Sequence, residues 1–238
     1  MTVSRTADER GYYLGSDGFY YAKVTATPNS SYGSGYTFST GDRISRNTTY
    51  YFKVEPIRWR ILTTNDGKAF ILCDSIIANQ RYDSSSNNYK NSDVRAWLNE
   101  TFYETAFTDL QKQIILTTEV DNGTSNSGGG FFPGMSENTN DKVFLLSYNE
   151  LNNSAYGLTS NALRRMLTSD YARATGAYMS TNSSNYGAGY WWLRTPYNRY
   201  SNSNSVRYVN YDGSINNYSG GSVSTGNYGV VPAMWITL

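Results

Sequence analysis

The chain has 238 residues, of which 16% are charged, and 20 Lys and Arg against 19 Asp and Glu leave a net charge of +1. That balance lacks the clustered basic footprint of a nucleic-acid binder, and no apolar run reaches the roughly 18 residues that span a bilayer. With no His and one Cys (Cys73), an internal disulfide, a thiolate-rich metal site, zinc catalysis and histidine acid–base chemistry are excluded.

The polar, charged start at residues 1–11 has no hydrophobic core of a secretory signal. Residues 12–24 then carry the turn Ser16-Asp17-Gly18 between Tyr-rich flanks, which predicts a first hairpin. A Gly/Ser/Tyr loop follows over 28–41. Residues 50–54 and 58–62 read as strand pieces interrupted by Pro56, and Asn65-Asp66-Gly67 turns the chain into an apolar strand over 69–74. Cys73 ends that apolar run with no base beside it, so a small buried hydrophobe is expected rather than a reactive thiol.

The middle of the chain predicts helices. Asn91-Ser92-Asp93 caps a segment with Val94, Trp97, Leu98 and Phe102 on one face. Thr108 with Gln111, and Ser147 with Glu150, stand in capping-box relation. Short helices are expected over 161–168 and 169–175, the second ending at Gly176, and a long Gly/Ser/Asn loop separates Asn122 from Asn140. The last quarter returns to strands: 190–194, a hairpin over 206–218 turning at Asp212-Gly213, and a closing strand over 230–236. Strands, then helices, then strands predict an α+β class, and no shift in composition marks a linker, so one domain over 1–238 is expected.

Few constellations suit catalysis. There is no G-x-S-x-G elbow, and Gly128-Gly129-Gly130 is not followed by the Gly-Lys-Ser/Thr of a phosphate loop. Glu100 and Glu104 share a helix face, the residue types of glycoside hydrolysis, but an exposed helix usually carries such a pair as solvated surface. Glu137-Asn138-Thr139-Asn140-Asp141 offers oxygen ligands of the kind Ca²⁺ accepts without EF-hand spacing, so a loop bonding to its own backbone is expected. No catalytic residue, metal or cofactor is therefore assigned. Trp59, Trp191, Trp192 and Trp235 suit either a sugar-stacking platform or the core, the latter preferred in a Gly-rich chain, and Arg194 is expected to orient the loop after it.

One tract stands apart. From Tyr197 to Tyr228, 32 residues contain 7 Asn, 6 Tyr and 7 Ser, with Arg199, Arg207 and Asp212 as the only charges. Tyr supplies a large rigid contact surface with few torsions to freeze, while Ser, Gly and Asn supply adaptable hydrogen bonds, the chemistry of an antibody-like paratope. The alternation Val206/Tyr208 and Val209/Tyr211 argues for an ordered scaffold rather than a disordered polar tract.

Several motifs also carry a resemblance. Tyr51-Phe52-Lys53-Val54-Glu55-Pro56-Ile57-Arg58-Trp59-Arg60-Ile61-Leu62, Asp93-Val94-Arg95-Ala96-Trp97-Leu98-Asn99 and Asp141-Lys142-Val143-Phe144-Leu145-Leu146-Ser147 are similar to signatures of a bacterial family of unassigned function. Trp191-Trp192-Leu193-Arg194-Thr195-Pro196 and Gly229-Val230-Val231-Pro232-Ala233 complete the match in order along the chain. That family resembles a branch of the C-type lectin fold in the lineage of formylglycine-generating-enzyme-like domains. Some members with this C-terminal pattern are the variable proteins of diversity-generating retroelements. The resemblance implies small twisted antiparallel sheets with short inserted helices and long irregular loops. It also implies a variable region over 191–238, diversified by copying adenines unfaithfully.

Carried onto this chain, the implied ligand contacts are Tyr197, Asn198, Tyr200, Ser201, Asn202, Ser203, Ser205, Tyr208, Asn210, Tyr211, Asn216, Tyr218, Ser219, Asn227 and Tyr228, with Val206, Val209, Ile215 and Val230 as fixed apolar partners. The expected function is non-enzymatic binding and display of a protein or glycan ligand, with no nucleic-acid partner and no membrane insertion, at a cell surface or on a phage particle. The alternative is a carbohydrate-binding or carbohydrate-processing surface protein using Trp and Tyr platforms. The lineage's sulfatase-activating members use a pair of cysteines, and calcium-dependent sugar-binding lectins use Glu-Pro-Asn or Gln-Pro-Asp with Trp-Asn-Asp; this chain has neither set.

Overall fold

A computed structural model describes residues 2–29, 36–123, 135–197, 204–216 and 220–238. Strands β1 (Tyr12–Leu14), β2 (Tyr20–Thr25) and β3 (Thr49–Lys53) form an antiparallel meander, its first turn made by residues 15–19 with Gly18 at φ +82°. Strands β4 (Trp59–Asn65) and β5 (Lys68–Cys73) are joined by Asp66-Gly67, both at positive φ, the geometry that matches the twist of a two-residue hairpin. Strand β6 (Ala78–Asn79) leads into the helical middle.

The helices begin where the sequence placed their caps. Ser92 accepts from the Arg95 N–H at the start of α1 (Asp93–Trp97). A turn of π-helix then spans Leu98–Phe102, with the Tyr103 N–H reaching the Leu98 carbonyl five residues back, before α2 (Tyr103–Ala106). The cause is Asn99, whose Nδ2 donates to the Arg95 carbonyl (3.1 Å) and to Val143 O (2.9 Å), while its Oδ1 accepts from Lys142 N (2.8 Å). A side chain that takes a helix carbonyl disturbs the regular ladder. Thr108 forms the full capping box of α3 (Asp109–Ile114). Strands β7 (Thr118–Val120) and β8 (Thr139–Asp141) pair with each other, and α4 (Tyr148–Leu151) opens on the Ser147–Glu150 capping box.

Two expectations are corrected. The helix expected over 161–168 is α5 (Asn161–Arg164) only, because 165–168 turns extended: Leu167 O accepts from Ile76 N (2.9 Å), and Leu167 and Thr168 make isolated bridges. The next helix, α6 (Asp170–Ala174), does end before Gly176. The closing strand divides in two around Val231-Pro232, since proline has no N–H to extend a ladder. After β9 (Trp191–Pro196), β10 (Ser205–Val209) and β11 (Gly221–Ser222), the first half, β12 (Gly229–Val230), completes a sheet ordered β11-β10-β9-β12-β6, and the second, β13 (Ala233–Thr237), pairs with β5 in the sheet β13-β5-β4. In the hairpin expected over 206–218, Val209 bridges Ile215 and Asn216 N donates to Tyr208 O (3.0 Å), while residues 217 and 218 lie outside the described residues.

The expected α+β class is the architecture found. Among the described residues no helix is long and apolar enough to cross a membrane. Cys73 is fully buried, and that burial pushes its thiol up to about 11, an inert core group. Phe70 stacks between Phe144 (5.8 Å) and Trp235 (5.0 Å), binding the β13-β5-β4 sheet to the segment before α4.

Strand β9 is buried along its whole length. Trp191 and Trp192 are both fully buried, each satisfied through its indole N–H by a carbonyl, Arg164 O (3.1 Å) and Gln80 O (2.9 Å) respectively. Burying an indole of about 200 Å² at ~25 cal/mol per Å² contributes on the order of 5 kcal/mol. Arg194 is 2% exposed, and its guanidinium meets Glu150 through both Nη atoms, Leu145 O (2.7 Å) and Asp121 O (3.1 Å). The same Glu150 carboxylate receives the Ser147 N–H (2.7 Å) that closes the α4 capping box. Thr195 Oγ1 accepts from Tyr148 N (2.8 Å), and Tyr82 Oη donates to Arg194 O (3.1 Å).

Glu150, which removal of Arg194 would leave behind, is 23% exposed and partly solvated, so its uncompensated charge costs about 2–3 kcal/mol, below that of a fully enclosed pair. Arg194→Met is therefore expected to lower unfolding stability by that amount in urea titration. Adding Glu150→Gln should recover part of the loss, and additive losses would show that the two groups are not coupled.

Candidate functional site

The five-stranded sheet gives one face to tyrosine. Tyr208 on β10 lies opposite Trp192 on β9, and Gly229 on β12 lies beside Trp191, so alternation puts Tyr190, Trp192, Tyr208 and Tyr228 on the same side. Their rings meet: Trp192–Tyr228 at 4.3 Å, Tyr208–Tyr228 at 4.6 Å, Tyr190–Tyr228 at 5.1 Å and Tyr190–Tyr208 at 5.7 Å between centroids. Tyr211, from the turn after β10, joins at 5.5 Å from Tyr190. Tyr178, from the loop after α6, sits 4.5 Å from Tyr190 and 5.7 Å from Tyr211. Tyr178 is held there by its backbone N–H, which donates to Asn227 O (2.8 Å).

Two glycines shape the rim. A Cβ on Gly221 would stand 2.5 Å from the Tyr228 ring and 2.8 Å from Trp192, so only glycine lets β11 close over these rings. Gly213, at φ +86°, would drive a Cβ to 1.8 Å from Asn161 O, so the turn carrying Tyr211 is seated directly on the start of α5.

Tyr208 is 7% exposed, whereas Tyr178, Tyr190, Tyr211 and Tyr228 are half-buried and share the exposed part of the face. Asn216 Nδ2 donates to Tyr208 Oη (2.5 Å), while Gly220 N donates to Asn216 Oδ1 (3.3 Å), locking the return of the hairpin to the ring cluster. Burial first, and then the Tyr208 hydroxyl, hold the Tyr228 hydroxyl well above the ordinary tyrosine range, so this phenol stays neutral at physiological pH. The face can therefore offer ring edges, hydroxyls and amides.

The implied contacts divide by location. Tyr208, Tyr211 and Tyr228 are in the array. Asn210, whose Nδ2 donates to Ser214 Oγ (2.9 Å), Asn216 and Asn227 are half-buried around it. Tyr197 and Ser205 are elsewhere: Tyr197 is 7% exposed and packs its ring on the Arg207 guanidinium (5.2 Å), which also covers the Tyr148 ring (4.1 Å). Asn198, Tyr200, Ser201, Asn202, Ser203, Tyr218 and Ser219 lie outside the described residues. Val206, Val209 and Val230 are fully buried, and Ile215 is half-buried against the same core. Sequence reasoning missed Tyr190 and Tyr178. The period-2 relation of Tyr190 to Trp192 could have found the first; nothing local marks the second.

The other candidates have structural partners. Glu104 pairs with Lys112 (2.5 Å), Glu137 with Lys90 (2.5 Å), and Asn138 with Glu119 (2.7 Å). Asp141, fully enclosed, takes Arg95 (2.6 Å) and the Thr139 hydroxyl (2.8 Å). The stretch 137–141 thus bonds mainly to other segments rather than to its own backbone, and no cluster of three or more metal-ligating side chains occurs among the described residues. Trp59 stacks on Phe107 (6.2 Å) and Trp235 on Phe70, so the indoles serve packing.

Removing only the Tyr208 hydroxyl tests the lock. Tyr208→Phe removes the hydroxyl that meets both the Asn216 amide and Tyr228, and a loss of about 1 kcal/mol is expected in urea unfolding, with the double variant Tyr208→Phe/Asn216→Ala losing less than the sum of the two single losses. Full additivity of the two substitutions would show that they do not share the bond.

A family model described as a domain of unknown function (DUF6273) matches residues 66–238, which include every strand of the tyrosine face. No curated protein and no solved structure matches the chain. With the match covering well over half of its length, the chain belongs to the DUF6273 family.

Proposed function

We propose that the protein is a non-enzymatic binding and display module whose ligand surface is the tyrosine face, in the manner of a retroelement-diversified variable protein on a C-type-lectin-like scaffold. The observation that carries this reading is the convergence of Tyr178, Tyr190, Tyr208, Tyr211 and Tyr228 into one ring array beside fully buried Val206, Val209 and Val230. A paratope needs this division: anchors that present large rigid area, and a core indifferent to what is presented. Asn210, Asn216 and Asn227 supply the adaptable donors and acceptors around the rings. Tyr197 and Ser205 belong to the supporting side in this reading.

The lectin-like assignment draws support from small antiparallel sheets, short inserted helices and the order of the motifs along the chain. A glycan ligand is the other outcome of the same surface, since tyrosine rings and amides also suit sugars.

Positions that present rather than hold should accept substitution. A displayed library randomised at Asn210, Tyr211 and Asn227 and panned against lysozyme as an unrelated target is expected to yield binders at micromolar Kd or better. Their thermal midpoints should stay within about 5 °C of the parent, a loss of roughly 2 kcal/mol or less. A library that mostly unfolds, or that yields no binder above the parent, would overturn the assignment.

A further inference from the structure

A second concavity, whose lining shares no residue with the tyrosine face, lies between the β1-β2-β3 sheet and the helical middle. It encloses about 250 Å³ and is walled by Tyr12, Phe52, Ile77, Trp97, Phe102 and Tyr171, with Ala78 and Ala106 where the wall is thin. Its sheet wall, residues 12–57, precedes the family-matched span, whereas its helical wall lies within it. The groove is therefore formed jointly by residues before the family match and residues within it.

The helical wall owes its shape to the π-turn. Trp97 and Phe102 are five residues apart, a spacing that a regular α-helix places on diverging faces. The extra residue in the turn brings their rings into a stack at 5.3 Å and 28°. Single π-turns recur at functional sites for this reason: they re-aim side chains that the regular helix would point away. Opposite, Phe52 meets Tyr171 edge-on at 5.8 Å, and Tyr171 remains 38% exposed at the rim.

The groove is lined mainly by apolar side chains, with Lys53, Glu55 and Thr105 as its polar members. Tyr12 Oη donates to Thr105 O (3.2 Å), satisfying both, and the Lys53 ammonium lies 3.4 Å over the Phe19 ring. An apolar concavity with few polar groups is the usual form of a small-molecule site. The groove is open to solvent on one side, and its about 250 Å³ leaves room for a planar molecule of one or two rings against the aromatic wall. The geometry points to a second ligand site, independent of the tyrosine face, that takes an uncharged planar molecule of one or two rings.

Indole is the probe. Titrated into ¹⁵N-labelled protein, it should give saturable shifts concentrated on the amides of Ile77, Ala78, Phe102, Thr105 and Ala106. Ala106→Phe, which fills the groove, should weaken indole binding at least tenfold while the spectrum elsewhere stays that of folded protein. If that variant fails to fold, Tyr171→Ser at the rim serves instead, with a loss of threefold or more expected. The proposal is overturned by shifts that do not saturate or that fall on Tyr190, Tyr208 and Tyr228. Unchanged affinity in whichever variant folds overturns it equally.

Discussion

The Arg194 guanidinium is the constraint on which the site depends. A charge at 2% exposure survives only if its donors are met, and here they are met by three separate segments: the Glu150 carboxylate, the Leu145 carbonyl and the Asp121 carbonyl. Burial alone would pull its pKa down, but the Glu150 carboxylate outweighs that and raises it. The consequence is positional. β9 is fixed against the start of α4, and because Glu150 also closes the α4 capping box, the helix and the strand are set by one carboxylate. β9 also bulges here. Between the pairs Trp192–Tyr208 and Pro196–Val206 it spends three residues against one on β10, which is how Leu193, Arg194 and Thr195 all come to be buried.

From β9 outward, the sheet separates holding from presenting. Trp192 is the fully buried floor, and Tyr208 and Tyr228 lean on it from the neighbouring strands. Tyr190, Tyr211 and Tyr178 continue the rings to the half-exposed edge. Close backbone approach at Gly221 and the left-handed turn at Gly213 make this possible at two points where any side chain would collide. In the proposed function, the same separation lets the outer residues change while the strand register stays fixed by the buried valines.

What was legible in the sequence was mostly local. Ser92, Thr108 and Ser147 announced helix starts because a capping side chain acts within three residues of itself. Asp66-Gly67 and Gly213 announced turns because positive φ selects for them. The paratope-like composition also pointed to strands that carry a ring array, although it did not distinguish Tyr211, which presents, from Tyr197, which packs on Arg207. The unread parts are tertiary. The π-turn comes from Asn99 reaching residues 142 and 143, and the extended 165–168 comes from pairing with Ile76 and Ala188. The closing strand is expected to run unbroken through Pro232, and nothing local shows that the two sides of this proline join different sheets. Tyr178 reaches the face through a loop whose sequence has no period.

The central claim is that residues of the tyrosine face vary while their scaffold does not. Sequencing this locus across a population of closely related cells tests it most directly. Diversification predicts substitutions confined to adenine-bearing codons at positions such as Asn210, Tyr211, Asn227 and Tyr228, with a nearby template repeat differing only at adenines. Trp191, Trp192, Arg194, Val206, Val209 and Val230 should be invariant. An unvarying segment with no template repeat, or substitutions spread evenly over face and scaffold, would contradict it.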